Sequence, residues 1–235
     1  MIISKTAGIS EIFSSIQGEG THMGERHLFV RFERCNIHCE YCDEIDKAGE
    51  AFDIDSVVKR IVKLEEEAGP HHYVSLTGGE PLVYAPFLRM LCPQLRERKF
   101  KLYLETNGIL DRALSEIIEW VDVIAMDMKP ASVTKEKNYW EEHEKFLKAA
   151  KAKELFIKVI LSKEIDTQEF MTCVKMLRTH APSIPFILQP ISLKDREGHD
   201  DRELLRLMAE LQQMASYYLR DVRIIPRLHR ILNIK

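Results

Sequence analysis

An open, partial (β/α)6 barrel is the fold the sequence predicts, and two observations carry it. Short runs rich in Val, Ile and Phe alternate with longer amphipathic segments, the pattern of a largely parallel sheet with helices on its outer face. Six such strand-then-helix units follow one another, too few to close the eight-unit barrel. The first unit is "HLFVRFE" (27–33) with a helix over 54–67, and the second is "HYVSLT" (72–77) with one over 85–97. "FKLYLET" (100–106) precedes a helix at 111–119, and "DVIAMDM" (122–128) one at 138–150. "LFIKVIL" (155–161) leads to 166–180, and "PFILQP" (185–190) to 200–219. No Gly/Ser linker, low-complexity tract or solenoid repeat interrupts the series. Residues 1–235 therefore read as a single domain with an N-terminal lead-in and a C-terminal tail.

Composition narrows the function classes. With 45% hydrophobic and 30% charged residues the 235-residue chain is of ordinary globular type and long enough to bury a substantial core. A formal net charge of -3 gives no general attraction to nucleic acid or to an anionic membrane. No apolar run approaches a membrane span, and "MIISKTAGIS" lacks the basic and apolar regions of a secretion signal, so the expected location is cytoplasmic. In that reducing compartment clustered cysteines are expected to hold metal or do redox chemistry rather than form disulfides, and five is an awkward number for pairing. No Ser/His/Asp or paired-carboxylate arrangement suggests a hydrolase, and no residue is singled out as a catalytic acid, base or nucleophile.

Three of those cysteines, Cys35, Cys39 and Cys42, form C-x3-C-x2-C in the loop "RFERCNIHCEYCDEID" after the first strand. Cys92 and Cys173 lie in apolar helix-like stretches and read as core residues. A structural zinc site wants four Cys or His ligands, with His38 at hand, but such sites usually bring two separated ligand pairs. A [4Fe–4S] cluster held by three thiolates leaves one iron open to a substrate or cofactor. "TGGEP" (77–81), "ETNG" (105–108) and "DMKP" (127–130) place polar groups at the C-terminal ends of successive strands, the face where barrel enzymes build their sites. Taken alone, "TGGEP" is also compatible with a plain tight turn.

The cysteine spacing followed by the "TGGEP" loop resembles the radical S-adenosylmethionine (SAM) enzymes. The lead-in "EIFSSIQGEG" (11–20), "FVR", "ETNG", the "KP" turn, a mid-chain "KV", "LQP" and the closing "LHRILNIK" resemble, nearly end to end, the 7-carboxy-7-deazaguanine synthase family within them. The resemblance implies a radical SAM barrel carrying a [4Fe–4S] cluster on Cys35, Cys39 and Cys42, with SAM on its open iron. One-electron cleavage would give a 5′-deoxyadenosyl radical that abstracts hydrogen from C6 of 6-carboxy-5,6,7,8-tetrahydropterin, which contracts to 7-carboxy-7-deazaguanine on the way to queuosine. It further implies that Gly79, Asp127, Met128, Lys129 and Gln189, Pro190, Ile191 and Ser192 line the SAM side, and that Ile16, Gln17, Gly18, Arg31, Thr77 and Lys235 contact the pterin.

The residue types agree: Gln17 can donate to and accept from a pterin amide edge, and Arg31 can grip a carboxylate with two hydrogen bonds. By themselves, Gln17 could equally be a turn residue and Arg31 a surface ion-pair partner. Two positions depart from the family pattern: Arg34 stands for the usual Gly before the first cysteine, and Glu44 for the Thr or Ser that carries a Mg²⁺ site. Glu44 is a hard oxygen donor and is expected to take that ion. The expected partners are the small pterin, an electron donor such as flavodoxin or ferredoxin, and a second copy of the chain in a homodimer. The tail is expected to fold back as a lid. Alternatives left open are a relative acting on another heterocycle, a glycyl-radical activase, which uses the same cysteine spacing, and a non-enzymatic zinc module.

Overall fold

The lead-in is itself a strand. In the computed structural model, which describes residues 5–42, 48–191 and 201–234, β1 (Thr6–Ile16) pairs antiparallel with β2 (Arg26–Phe32) and with the short β3 (Glu50–Asp53). Only alternate residues near its start, such as Ala7 and Ile9, are deeply buried. This half-covered, Ser-rich strand lacks the apolar run that marks the strands of a parallel sheet.

From β2 onward the chain winds as expected. Helix α1 (Ile54–Ala68) leads to β4 (Tyr73–Gly78), α2 (Ala85–Glu97) to β5 (Leu102–Thr106), and α3 (Asp111–Ser115) to β6 (Val123–Met128). A one-turn α4 (Ala131–Thr134) and α5 (Trp140–Ala150) precede β7 (Glu154–Leu161), α6 (Thr167–His180) precedes β8 (Phe186–Pro190), and α7 (Arg202–Ser216) precedes β9 (Val222–Ile224) and a final α8 (Leu228–Leu232). The nine strands form one open sheet in the order β3-β1-β2-β4-β5-β6-β7-β8-β9, parallel from β2 to β9. The partial barrel is thus present with one parallel strand more than expected. The helix expected over 111–119 is broken, with α3 ending at Ser115 and a 3-10 turn at Ile118–Trp120.

Side-chain caps fix where helices start. Asp53 accepts from the Ser56 N–H at 2.8 Å, Asp166 from Gln168 at 2.7 Å, and Asp201 from Leu204 at 3.1 Å. Val57, Val58 and Ile61 on α1, and Phe87, Leu88, Leu91, Cys92 and Leu95 on α2, share one buried apolar cluster with outward-facing strand residues such as Leu104, Met126 and Met128. Among the described residues no helix is long and apolar enough to cross a membrane.

The inward strand positions matter most for the site, because side chains two apart share a face. Tyr103, Val123, Ala125, Phe156 and Ile187 form an apolar floor inside the barrel. One inward step toward the C-terminal ends, the same strands present Glu105, Asp127, Lys158 and Gln189, while β2 and β4 present Arg31 and Thr77. Parallel register sets Arg31 beside Thr77 and Asp127 beside Lys158.

Candidate active site

The cysteine loop leaves the end of β2 and is pressed against the loop after β4. Gly79 donates its N–H to the Phe32 carbonyl and Glu80 donates to that of Arg34, each at 2.8 Å. A Cβ on Gly79 would run into the Arg34 carbonyl, and Gly78, at φ +115, would drive one into Phe32. Only glycine allows this close backbone approach. Cys35 is exposed, Cys42 half-buried and Cys39 buried, and none is in a disulfide. All three thiols face one cavity of ≈ 170 Å³ at the barrel mouth. Cys92 and Cys173 are sealed in the helix layer.

Gly79, Asp127, Lys129, Gln189, Pro190 and Ile191 line that same cavity. A second cavity of ≈ 450 Å³ lies beside it, walled by Ile16, Gln17, Gly18, Arg31 and Thr77 and by the tail residues His229 and Arg230. Glu19, Arg31, Thr77, Glu105 and Arg227 border both, so the two are lobes of one site. In the second lobe Phe13 and Phe29 stack with centroids 5.1 Å apart, and the Arg31 guanidinium lies 5.5 Å over the Phe13 ring.

The tail packs along this lobe. Leu228 donates its N–H to the Gly18 carbonyl at 2.8 Å, Arg227 donates to the Ile191 carbonyl, and the His229 ring rests on Gly18 where a Cβ would stand.

A buried charge network joins the lobes. Lys158, only 3% exposed, places Nζ 2.5 Å from Glu19 Oε2 and 3.1 Å from Asp127 Oδ1. Burial opposes the Lys158 charge, but Asp127, Glu19 and Glu105 outweigh it and hold the ammonium well above its ordinary range. Glu19 is likewise opposed by burial, yet Lys158 pulls it down to about 2. Glu105 accepts from Gln17 Nε2 at 2.8 Å and from Thr77 Oγ1 at 2.9 Å, but burial dominates and raises it. On the cysteine side, burial pushes the Cys39 thiol up to about 11 against the pull of Lys129, whose own charge Asp127 and the neighbouring Tyr41 and thiols stabilise despite burial.

Most residues expected at the site are brought together here. The exception is the Met128 side chain, which strand alternation turns into the helix-facing core, leaving only its main chain near the mouth. Glu44, Ser192 and Lys235 lie outside the described residues. Sequence reading gave no role to Glu19, Glu80, Glu105, Lys158, Arg227 or His229. A lysine inside the apolar run "LFIKVIL" was the available signal, since a charge in a buried strand needs a partner.

The donor set suits an iron–sulfur cluster with a cofactor beside it. Three thiols share one cavity, Gly79 offers close backbone approach, and the buried Gln189 Oε1 and Tyr41 hydroxyl on its wall lack hydrogen-bond partners. Among the described residues no group of three or more Cys, His, Asp or Glu side chains is arranged to hold a single metal ion; in a cluster each thiolate bonds its own iron.

The model of the Radical SAM superfamily matches residues 29–180. A 7-carboxy-7-deazaguanine synthase of Geobacter sulfurreducens is 35% identical, covering 96% of this chain and 97% of the relative. One from Methanopyrus kandleri is 32% identical over 96% of this chain and 93% of its own length. Among solved structures, QueE from Escherichia coli superposes with a TM-score of 0.64 at 20% identity, covering 95% of each chain, which supports the fold. The chain belongs to the radical SAM superfamily and, within it, to the 7-carboxy-7-deazaguanine synthase family.

Proposed function

We propose that this protein converts 6-carboxy-5,6,7,8-tetrahydropterin to 7-carboxy-7-deazaguanine, as a carbon–nitrogen lyase of queuosine biosynthesis. The observation that carries the reading is a polar lobe opening directly onto the three-cysteine cavity, in a chain 35% identical to a curated 7-carboxy-7-deazaguanine synthase over 96% of its length. Cys35, Cys39 and Cys42 hold the cluster, and Gly79, Asp127, Met128 through its main chain, Lys129 and Gln189 to Ser192 hold SAM. When bound, these two groups supply the one-electron chemistry that creates a radical hydrogen abstractor.

This chain's own residues bind, orient and exclude water. Arg31, stacked on Phe13, takes the substrate carboxylate. Gln17, Thr77 and Glu105 already share hydrogen bonds and present the donors and acceptors a pterin edge requires. Gly18 and Ile16 complete the wall, the tail residues His229, Arg230, Asn233 and Ile234 border the lobe, and Lys235 is the further pterin contact of this reading.

Finer assignments belong to the same reading: Mg²⁺ on Glu44, a flavodoxin or ferredoxin as electron donor, a homodimer, and a cytoplasmic site of action. The test is anaerobic turnover with the carboxytetrahydropterin after cluster reconstitution. Wild type should yield 5′-deoxyadenosine and the deazapurine, with both lost in Cys39→Ala and kept in Cys92→Ala. An unconsumed pterin beside an intact cluster would reject the substrate.

A further inference from the structure

Resting on the assignment of Cys35 as a cluster ligand, we infer that Asn107 is a positioning residue that directs an amide N–H at the Cys35 sulfur and thereby raises the reduction potential of the cluster. Asn107 is 3% exposed, and its Nδ2 lies 2.7 Å from Asn36 Oδ1 and 3.8 Å from Cys35 Sγ. The same amide nitrogen thus faces both acceptors, the Asn36 oxygen closely and the Cys35 sulfur at longer range. The Cys35 thiol lies 3.8 Å from the same Asn36 oxygen, to which it can donate only while protonated. Once the sulfur is bound to iron as a thiolate that contact ends, and the sulfur can only accept.

The main chain of Asn107 is held without its side chain. Its N–H donates to Glu80 Oε2 at 2.7 Å, its carbonyl is 3.1 Å from Nε2 of the buried His143, and Glu80 also accepts from Thr106 Oγ1 at 2.9 Å. Loop position and amide contact are therefore separable by mutation. Hydrogen bonds to cluster sulfurs favour the more negative, reduced state and so raise the potential.

The experiment is an EPR-monitored redox titration of the reconstituted cluster with iron counted per chain. Asn107→Ala should keep wild-type iron while the one-electron equilibrium shifts roughly tenfold toward the oxidised state, a drop of about 59 mV. Full iron with an unchanged potential overturns the inference alone. A wild type that takes up no cluster overturns the proposed function and this inference together.

Should Asn107→Ala fail to fold, pulsed EPR of reduced Asn36→Asp protein, which keeps the side-chain oxygen that holds the Asn107 amide and removes the second nearby amide nitrogen, labelled with ¹⁵N at asparagine side chains, decides. A weak ¹⁵N coupling to the cluster supports the Asn107 contact, and its absence overturns it.

Discussion

Arg31 is the residue on which the proposed substrate recognition turns. It borders both lobes and is set beside Thr77 by the β2–β4 register. Removing a charged partner from a desolvated carboxylate should cost about 2 to 5 kcal/mol of binding. Arg31→Ala is therefore expected to weaken pterin affinity by about 30-fold or more, with SAM affinity kept, as equilibrium dialysis of each ligand would read. Glu80 offers a second test at this scale. Burial raises its carboxyl from 4.5 to about 7, against the Asn107, Leu82 and Thr106 donors that favour the anion. The unfolded chain therefore releases this proton first as pH rises. Glu80's contribution to stability is fully present below about pH 4.5 and is lost by about pH 7, by up to about 3 kcal/mol. Urea unfolding of the cluster-free protein should show this decline for wild type, and Glu80→Gln should flatten it.

At the scale of elements, the "QGEG" hairpin and the tail interlock through Gly18, whose missing Cβ makes room for the His229 ring. Gly18→Ala should push α8 off the lobe. The expected readouts are faster tryptic cleavage at Arg227 and Arg230 and a raised KM for the pterin, with iron content unchanged. Unaltered protease resistance would contradict the interlock. Elements differ in how far they could be read from sequence. The central strands β4 to β8, buried on both faces, appear as continuous apolar runs and end within two residues of expectation. The strands β1, β3 and β9 were missed because they are half-covered or very short, so their pairing depends on a neighbour and not on their own composition. The site divides the same way. Cys35, Cys39, Cys42 and Gly79 are bound by local spacing and were legible. The Lys158 contacts with Glu19 and Asp127 arise from register between distant segments, which spacing does not record.

Across the whole molecule, one rule of alternation generates the active site. On β5 to β8 the inward face carries an apolar residue in the barrel floor and a polar residue one step nearer the mouth: Tyr103 and Glu105, Ala125 and Asp127, Phe156 and Lys158, and Ile187 and Gln189. The floor is apolar, the cysteine loop and the tail border the top, and Lys158 holds Glu19 ionised against its burial. In the proposed function the two lobes place one substrate, the pterin, against the radical chemistry of the cysteine side. This placement is tested most directly by anaerobic turnover of carboxytetrahydropterin deuterated at C6, with mass analysis of the 5′-deoxyadenosine formed. Deuterium transferred into 5′-deoxyadenosine, matched by deazapurine production, is the predicted result; unlabelled 5′-deoxyadenosine with the pterin left intact would contradict it.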